Sequence, residues 1–304
     1  MVGRGVAQAH SSGDWDSAFA VVAPALSRAD LSLANLESPI SSQPAVSPAP
    51  SGGYNLCASP AALPALAAAG FDLLSLANNH RSDCGDPGET QNALYRQGLT
   101  PLGPGFTPLY RQINGLRLAF LAFDDVSAPL EVAQAEDAIA RARRSGALVI
   151  VSIHWGWEFD PAPTARQERL ARNFAAAGAT LIWGHHPHVL QRAEQLRVNG
   201  RARPTLVLYS LGNALFDQIA PPDARRSALV IVQLDAAGLR QVRFVPLWID
   251  APHGRITWPE ADACQAILRR LGPAIEPASA CPRREQTERQ ANDETAGRYP
   301  GKPR

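Results

Sequence analysis

The stretch Leu148-Val149-Ile150-Val151-Ser152-Ile153-His154-Trp155-Gly156-Trp157-Glu158 decides how the chain is read. Its first six residues are apolar apart from Ser152 and rich in β-branched side chains, which predicts a strand. The strand runs straight into a histidine, two tryptophans and a carboxylate. In an α/β sheet, sites form beyond the carboxyl ends of the strands.

Working outward, the same alternation repeats. A strand at Leu116–Phe123 and a helix at Glu131–Arg144 precede the stretch; a helix at Thr164–Ala177, ended by Gly178, and a short strand at Thr180–Trp183 follow it. Further upstream, Asp14–Arg28 has a helical apolar pattern and Leu31–Ala34 reads as a strand. A long loop spans Pro39–Gly53, a length that is often functional or mobile. Ser59 can cap a helix from Pro60 to Ala69, stopped by Gly70; a strand at Phe71–Leu76 and a helix at Asp86–Gln97, closed by Gly98, complete this part. Downstream, Gln195–Arg197, Thr205–Leu208, Ala228–Leu234 and Val242–Trp248 read as strands with no helix between them. A helix follows at Ala261–Leu271. The change from alternating β and α to mostly β predicts one layered α/β domain with two sheets, over residues 1–275. Residues 282–304 are polar, with little to bury, and read as a disordered tail.

With 304 residues, 45% hydrophobic and 19% charged, the chain can bury a full core. Its formal net charge of +1 argues against nucleic acid as a partner. No apolar run approaches the roughly 20 residues of a membrane helix, and the first residues lack the apolar stretch of a signal peptide. The cysteines Cys57, Cys84, Cys264 and Cys281 form no CxxC pair. They are either two disulfides of an oxidising compartment, paired in sequence order as Cys57–Cys84 and Cys264–Cys281, or four unrelated thiols.

Of seven histidines, five lie in three loops that follow predicted strands: Asn78-Asn79-His80, His154 to Glu158, and Gly184-His185-His186-Pro187-His188. Asn35-Leu36-Glu37 occupies an equivalent place after the first strand. A lone histidine after a strand is usually a hydrogen-bonded structural residue; three within four residues, with Asn-His and Glu in matching loops, point to a metal pocket. Imidazole, carboxylate and amide oxygen suit zinc, manganese or iron. A His-x-His pair can reach two neighbouring ions, and two ions roughly 3.5–4 Å apart can hold a phosphoryl group and activate water. A further histidine can protonate the leaving oxygen. Trp155 and Trp157 are expected to pack in the core.

Five stretches, in order, resemble the CapA family, also called PgsA. These are poly-γ-glutamate capsule biosynthesis proteins within the calcineurin-like metallophosphoesterase superfamily. The stretches are Ala34-Asn35-Leu36-Glu37-Ser38-Pro39; Ser75-Leu76-Ala77-Asn78-Asn79-His80 with Asp83 and Gly85; Ser152 to Glu158; Gly184-His185-His186-Pro187-His188-Val189; and Tyr209-Ser210-Leu211-Gly212-Asn213 followed by Phe216-Asp217-Gln218. The resemblance runs from about Met1 to about Trp248. It implies a four-layer αββα sandwich of two sheets with helices outside. It implies two divalent ions (Mn, Zn or Fe), with Glu37, Asn79, His154, His186 and His188 as ligands and His80 as the general acid. Asn35, Asp83, Glu158 and Asn213 are supporting or alternative positions, and His185 could stand in for His186. CapA-like chains usually begin with a strand ending in Gly-Asp, before a Met-x-Gly-Arg-Gly-like stretch. Here that stretch starts at Met1, so the first strand and its aspartate are expected to be missing. Either the true start lies upstream, where a signal or anchor could place the protein outside the cytoplasm or at the membrane, or the metal site is incomplete.

Two functions compete. One is a dinuclear metal-dependent hydrolase acting on a phosphoester. The other is a non-catalytic accessory role in making or exporting an anionic polymer, poly-γ-glutamate, with capsule-synthesis membrane proteins as partners. Arg4, Arg81, Arg166 and Arg192 lie near the site loops and could meet polymer carboxylates, or be ordinary surface arginines.

Overall fold

The computed structural model describes residues 1–42, 53–272 and 281. Most of the Pro39–Gly53 loop, the end of the expected 1–275 domain and the expected tail at 282–304 lie outside the described residues. The helices are α1 (Arg4–Ala9), α2 (Asp16–Phe19), α3 (Ala23–Arg28), α4 (Leu63–Ala68), α5 (Pro87–Arg96), α6 (Val132–Arg144), α7 (Ala165–Ala177) and α8 (Ala261–Leu271). The strands are β1 (Leu33–Asn35), β2 (Leu73–Ser75), β3 (Thr100–Leu102), β4 (Gly105–Ile113), β5 (Leu116–Asp124), β6 (Leu148–His154), β7 (Ala179–His185), β8 (Ala193–Leu196), β9 (Thr205–Leu208), β10 (Arg226–Asp235), β11 (Gly238–Asp250) and β12 (Arg255–Thr257).

Six strands form one sheet in the order β4-β5-β6-β7-β9-β8, parallel through β5, β6, β7 and β9 and antiparallel at both edges. Two three-stranded sheets complete the β structure: β1-β2-β3, all parallel, and β10-β11-β12, antiparallel.

The period-2 alternation of the strands makes the layers. On β5, Ala119, Leu121 and Phe123 pack with Ala135, Ala138, Ile139 and Ala142 of α6 and Leu170 and Phe174 of α7. The intervening Leu118, Phe120 and Ala122 face the other way, into a core shared with Leu73 of β2, Leu102 of β3, and Val242 and Phe244 of β11. On the far side, Leu74 of β2 and Leu247 of β11 join Val6, Phe19, Leu26, Leu66 and Leu94 from α1 to α5. Helices, six-stranded sheet, paired small sheets and helices therefore stack as the four-layer α/β sandwich expected from the sequence. α6 buries 135, 138, 139 and 142, the i, i+3, i+4, i+7 stripe of a helix with one wet face.

The helix read as Asp14–Arg28 is two helices, α2 and α3. Pro24 has no N–H to donate and is tolerated only in a first helical turn, so a new helix starts there. The sequence reading also passed over α1, β3, β4 and β12. β4 is an edge strand with no fully buried residue, so it lacks an apolar alternation. β3 and β12 are three residues each, too short to show a period. β1 and β10 each pair on one side only among the described residues. Both line the same cavity of about 890 Å³, whose other walls include Leu118, Ile150, Leu181 and Leu208. The cavity reaches Glu37, His186 and His188.

Both disulfides exist as the sequence-order pairs, Cys57–Cys84 and Cys264–Cys281, rather than as four free thiols. Among the described residues, no helix is long and apolar enough to cross a membrane.

Candidate metal centre

Parallel pairing brings the carboxyl ends of neighbouring strands together. Register aligns Asp124, His154 and His185 at the ends of β5, β6 and β7, and Asn35 with Ser75 at the ends of β1 and β2. The loops that follow carry the remaining site residues, so all the expected positions converge on one region.

Glu37, His154 and His186, all buried, each place one ligand atom within 4.8 Å of the others, and exposed Glu158 with buried His186 and His188 forms a second group at the same spacing. The two groups share His186. His154 Nε2 lies 2.8 Å from Asn79 Oδ1 and 3.7 Å from Glu37 Oε1, and His188 Nε2 lies 3.5 Å from the same carboxylate oxygen. Glu37 Oε1 and His186 Nδ1 are buried with no hydrogen-bond partner. An orphaned buried polar atom costs about 1–3 kcal/mol, so two in one cluster call for a ligand between them. The donor set of carboxylate, imidazole and amide oxygen fits a divalent zinc, manganese or iron ion.

The remaining site residues hold these donors in place. Asn35 Nδ2 donates to Glu37 Oε2 (3.4 Å), and Asn35 Oδ1 accepts from Asn78 Nδ2 (3.2 Å). Asn213 Oδ1 lies 2.8 Å from His188 Nδ1. His185 does not face the cluster: its Nδ1 meets His154 Nδ1 at 2.6 Å and its Nε2 meets Ser152 Oγ at 2.8 Å. Both ring nitrogens of His185 are occupied, by His154 and Ser152, whereas His186 belongs to both groups that could hold an ion. Asp83 Oδ2 accepts from His80 Nδ1 (2.8 Å), which leaves His80 Nε2 for other work. Ligand histidines are commonly held this way through their second nitrogen.

Electrostatics separates the histidines into two kinds. His154 is held well below the ordinary histidine range by burial and by the neighbouring histidines His185, His186, His188 and His80. Burial and the charges of His186 and His188 lower His185 to about 3. His186 is lowered too, by burial first, against the opposing charge of Glu37. These rings are neutral at physiological pH, the form that binds metal. His80 differs: burial works against its proton, but the hydrogen bond to Asp83 and the charges of Glu37, Asp83 and Glu158 outweigh it, and its pKa is raised.

The backbone is strained at this point. His186 has φ 105° and His188 φ 59°, which residues other than glycine seldom adopt. Gly184 is required two residues earlier: a Cβ there would sit 2.3 Å from both Trp155 Nε1 and the Tyr209 carbonyl oxygen. Trp155 packs in the core as expected, donating to that carbonyl (2.9 Å), whereas Trp157 does not pack and is 71% exposed beside Glu158. It follows Gly156, which has a positive φ two residues after the end of β6.

The sequence reading missed Ser75, Ser152 and Asn78 as working residues. Ser152 Oγ donates to Ser75 Oγ at 2.9 Å, a buried link between β6 and β2. A single serine inside each apolar strand was the available signal. Asn78 also donates to the Leu36 carbonyl (3.0 Å) and accepts from the His80 N–H (3.2 Å), tying the two small-sheet loops together. Of the four arginines near the site loops, Arg4 pairs with Asp217 (3.2 Å), Arg166 with Asp125 (2.5 Å) and Arg192 with Glu168 (2.8 Å).

A crystal structure of a hypothetical protein from Thermus thermophilus shares the fold, with a TM-score of 0.51, 16% identity, and coverage of 75% of this chain and 92% of that one. The PGA biosynthesis protein CapA of Bacillus subtilis (strain 168) is 32% identical over 269 residues, covering 81% of this chain and 69% of that protein. The capsule biosynthesis protein CapA of Bacillus anthracis is 32% identical over 273 residues, with 81% of this chain and 65% of that protein covered. The match thus spans about two thirds of the length of these relatives. Residues 1–218 match the family described as bacterial capsule synthesis protein PGA_cap, and with these relatives beside it the chain belongs to that family.

Proposed function

We propose that the chain is a dinuclear metal-dependent phosphoester hydrolase serving capsule polymer synthesis at the cell envelope. The observation that carries this reading is the pair of buried, unpartnered ligand atoms, Glu37 Oε1 and His186 Nδ1, inside a cluster of neutral imidazoles. Glu37, Asn79 and His154 would hold one ion and Glu158 and His188 a second, with the neutral ring of His186, which has one free lone pair, completing one of the two. When bound, such ions neutralise phosphoryl charge and activate water. The chain's own residues do the rest. His185 and Asn213 fix the rings of His154 and His188, and Asn35 fixes Glu37. His80, with Nδ1 tied to Asp83 and its pKa raised, is placed to give a proton from Nε2 to the leaving oxygen.

The two disulfides support an oxidising compartment, as expected outside the cytoplasm. An anionic polymer, or a phosphoester in its synthesis, fits as substrate class, and capsule-synthesis membrane proteins fit as partners. The relatives' names speak of biosynthesis rather than hydrolysis, which favours a second reading: a non-catalytic accessory to polymer assembly or export. The deciding experiment is metal content per chain after reconstitution with manganese and with zinc, followed by phosphoester assays. Two ions per chain and turnover are the expected result. Ions without turnover would leave the accessory reading, and no ion at all would remove both the site and the hydrolase.

A further inference from the structure

The loop that carries His80 has no regular secondary structure of its own between β2 and α5. It is held instead by a segment before α4. Asp83 is 1% exposed, and its Oδ2 accepts from two directions: from His80 Nδ1 at 2.8 Å and from the Leu56 N–H at 2.8 Å. Asn55 Nδ2 donates to the Asp83 carbonyl at 3.1 Å. The next residue on each side, Cys57 and Cys84, forms the disulfide. The Cys57–Cys84 bond thus sits one residue from the carboxylate that fixes the ring of His80. The partner segment is anchored in turn, because Ala58 bridges to Ile40 and its N–H donates to the Pro39 carbonyl at 2.9 Å.

We infer that the Cys57–Cys84 disulfide and Asp83 together are a positioning device for His80: the bond holds Leu56 against Asp83, and Asp83 holds the imidazole with Nε2 towards the metal cluster. The other disulfide, Cys264–Cys281, ties α8 to the chain that follows it, away from this loop in sequence, so it serves as an internal control. The inference rests on His80 as the proton donor of the proposed hydrolase. Neither cysteine touches substrate; their effect on proton donation is indirect.

General-acid assistance matters most when the leaving group is poor, so leaving-group dependence separates loss of positioning from loss of metal. The manganese-loaded protein is assayed with p-nitrophenyl phosphate, a good leaving group, and phenyl phosphate, a poor one. The expected result is that Cys57→Ser/Cys84→Ser slows phenyl phosphate at least about tenfold more than p-nitrophenyl phosphate, as His80→Ala and Asp83→Asn do, with metal content per chain unchanged. Cys264→Ser/Cys281→Ser leaves both rates unchanged. Equal rates for the Cys57/Cys84 variant and the wild type, or equal loss on both substrates, would overturn the inference. Should the double variant not fold, dithiothreitol reduction of Cys57–Cys84 in the Cys264→Ser/Cys281→Ser background replaces it.

A second readout does not need turnover. In metal-free protein labelled with ¹⁵N-histidine, the neutral form of the His80 ring, assigned with His80→Gln, is expected as a single tautomer protonated on Nδ1. It should become a mixture once the Cys57–Cys84 bond is broken. An unchanged tautomer signal would refute the positioning role even if the protein proved to hydrolyse neither phosphate. Absence of turnover with a changed signal would instead count against the hydrolase reading alone.

Discussion

The two sides of the candidate metal centre are built differently. His154, His186 and His188 hang from β6 and β7, long strands buried on both faces and braced by α6 and α7. Glu37, Asn79 and His80 hang from β1 and β2, three residues each, and depend on side-chain hydrogen bonds and a disulfide to keep their place. One side gains its rigidity from packing and the other from polar ties. Substitutions should therefore show different signatures on the two sides, metal loss with stability loss on the first and metal loss alone on the second.

The largest effect is expected at His186, the residue common to both candidate groups. His186→Ala removes its donor and should weaken metal binding by more than the about 100-fold that bounds changes in supporting residues, measured by titration calorimetry. Retention of two ions at unchanged affinity would show that His186 is not a ligand. Next comes the packed side. Phe174→Ala deletes a fully buried ring between α7 and β5, and should cost about 3–5 kcal/mol of unfolding free energy in a denaturant titration. On the polar side, Asn35→Ala should lower metal affinity about 10–100-fold with little change in thermal midpoint. A large stability loss there would erase the contrast.

A further effect is in pH. His154, His185 and His186 are held below the ordinary value of 6.5, so in the metal-free protein the unfolded chain binds more protons than the folded one under mildly acid conditions. Stability is therefore present above pH 6.5 and is lost as pH falls below it, on the order of 1 kcal/mol per pH unit for each ring that stays neutral in the fold. His80 has the opposite sign: its pKa is raised, so its smaller contribution is present at low pH and fades as pH rises through its folded pKa. Thermal melts between pH 5 and 8 check the sum, and a midpoint that rises on acidification would contradict it.

The same contrast explains what could be read in the sequence. β5, β6, α6 and α7 were legible almost to the residue because burial on both strand faces and on one helix stripe leaves a periodic apolar record. The ligand loops were legible because histidine, asparagine and glutamate at strand ends are chemically conspicuous. The polar scaffold was less so. Whether His185 or His186 faces the cluster depends on a positive φ at His186, which no residue type announces. Glu158 likewise meets His186 and His188 from the loop that follows Gly156 and its positive φ. Ser75 and Ser152 each look like an ordinary polar interruption until the two sheets are stacked.

The cavity between the small sheets has a consequence for how the protein behaves at high concentration. Among the described residues, β1 and β10 both present unpaired backbone donors and acceptors towards it, and such edges are templates for another strand. The cavity they line has apolar walls, which suit a loose, extended apolar stretch of polypeptide. The colloidal hazard therefore comes from partly unfolded chains feeding strands into folded ones, and gentle warming, rather than crowding alone, should turn a clear solution cloudy.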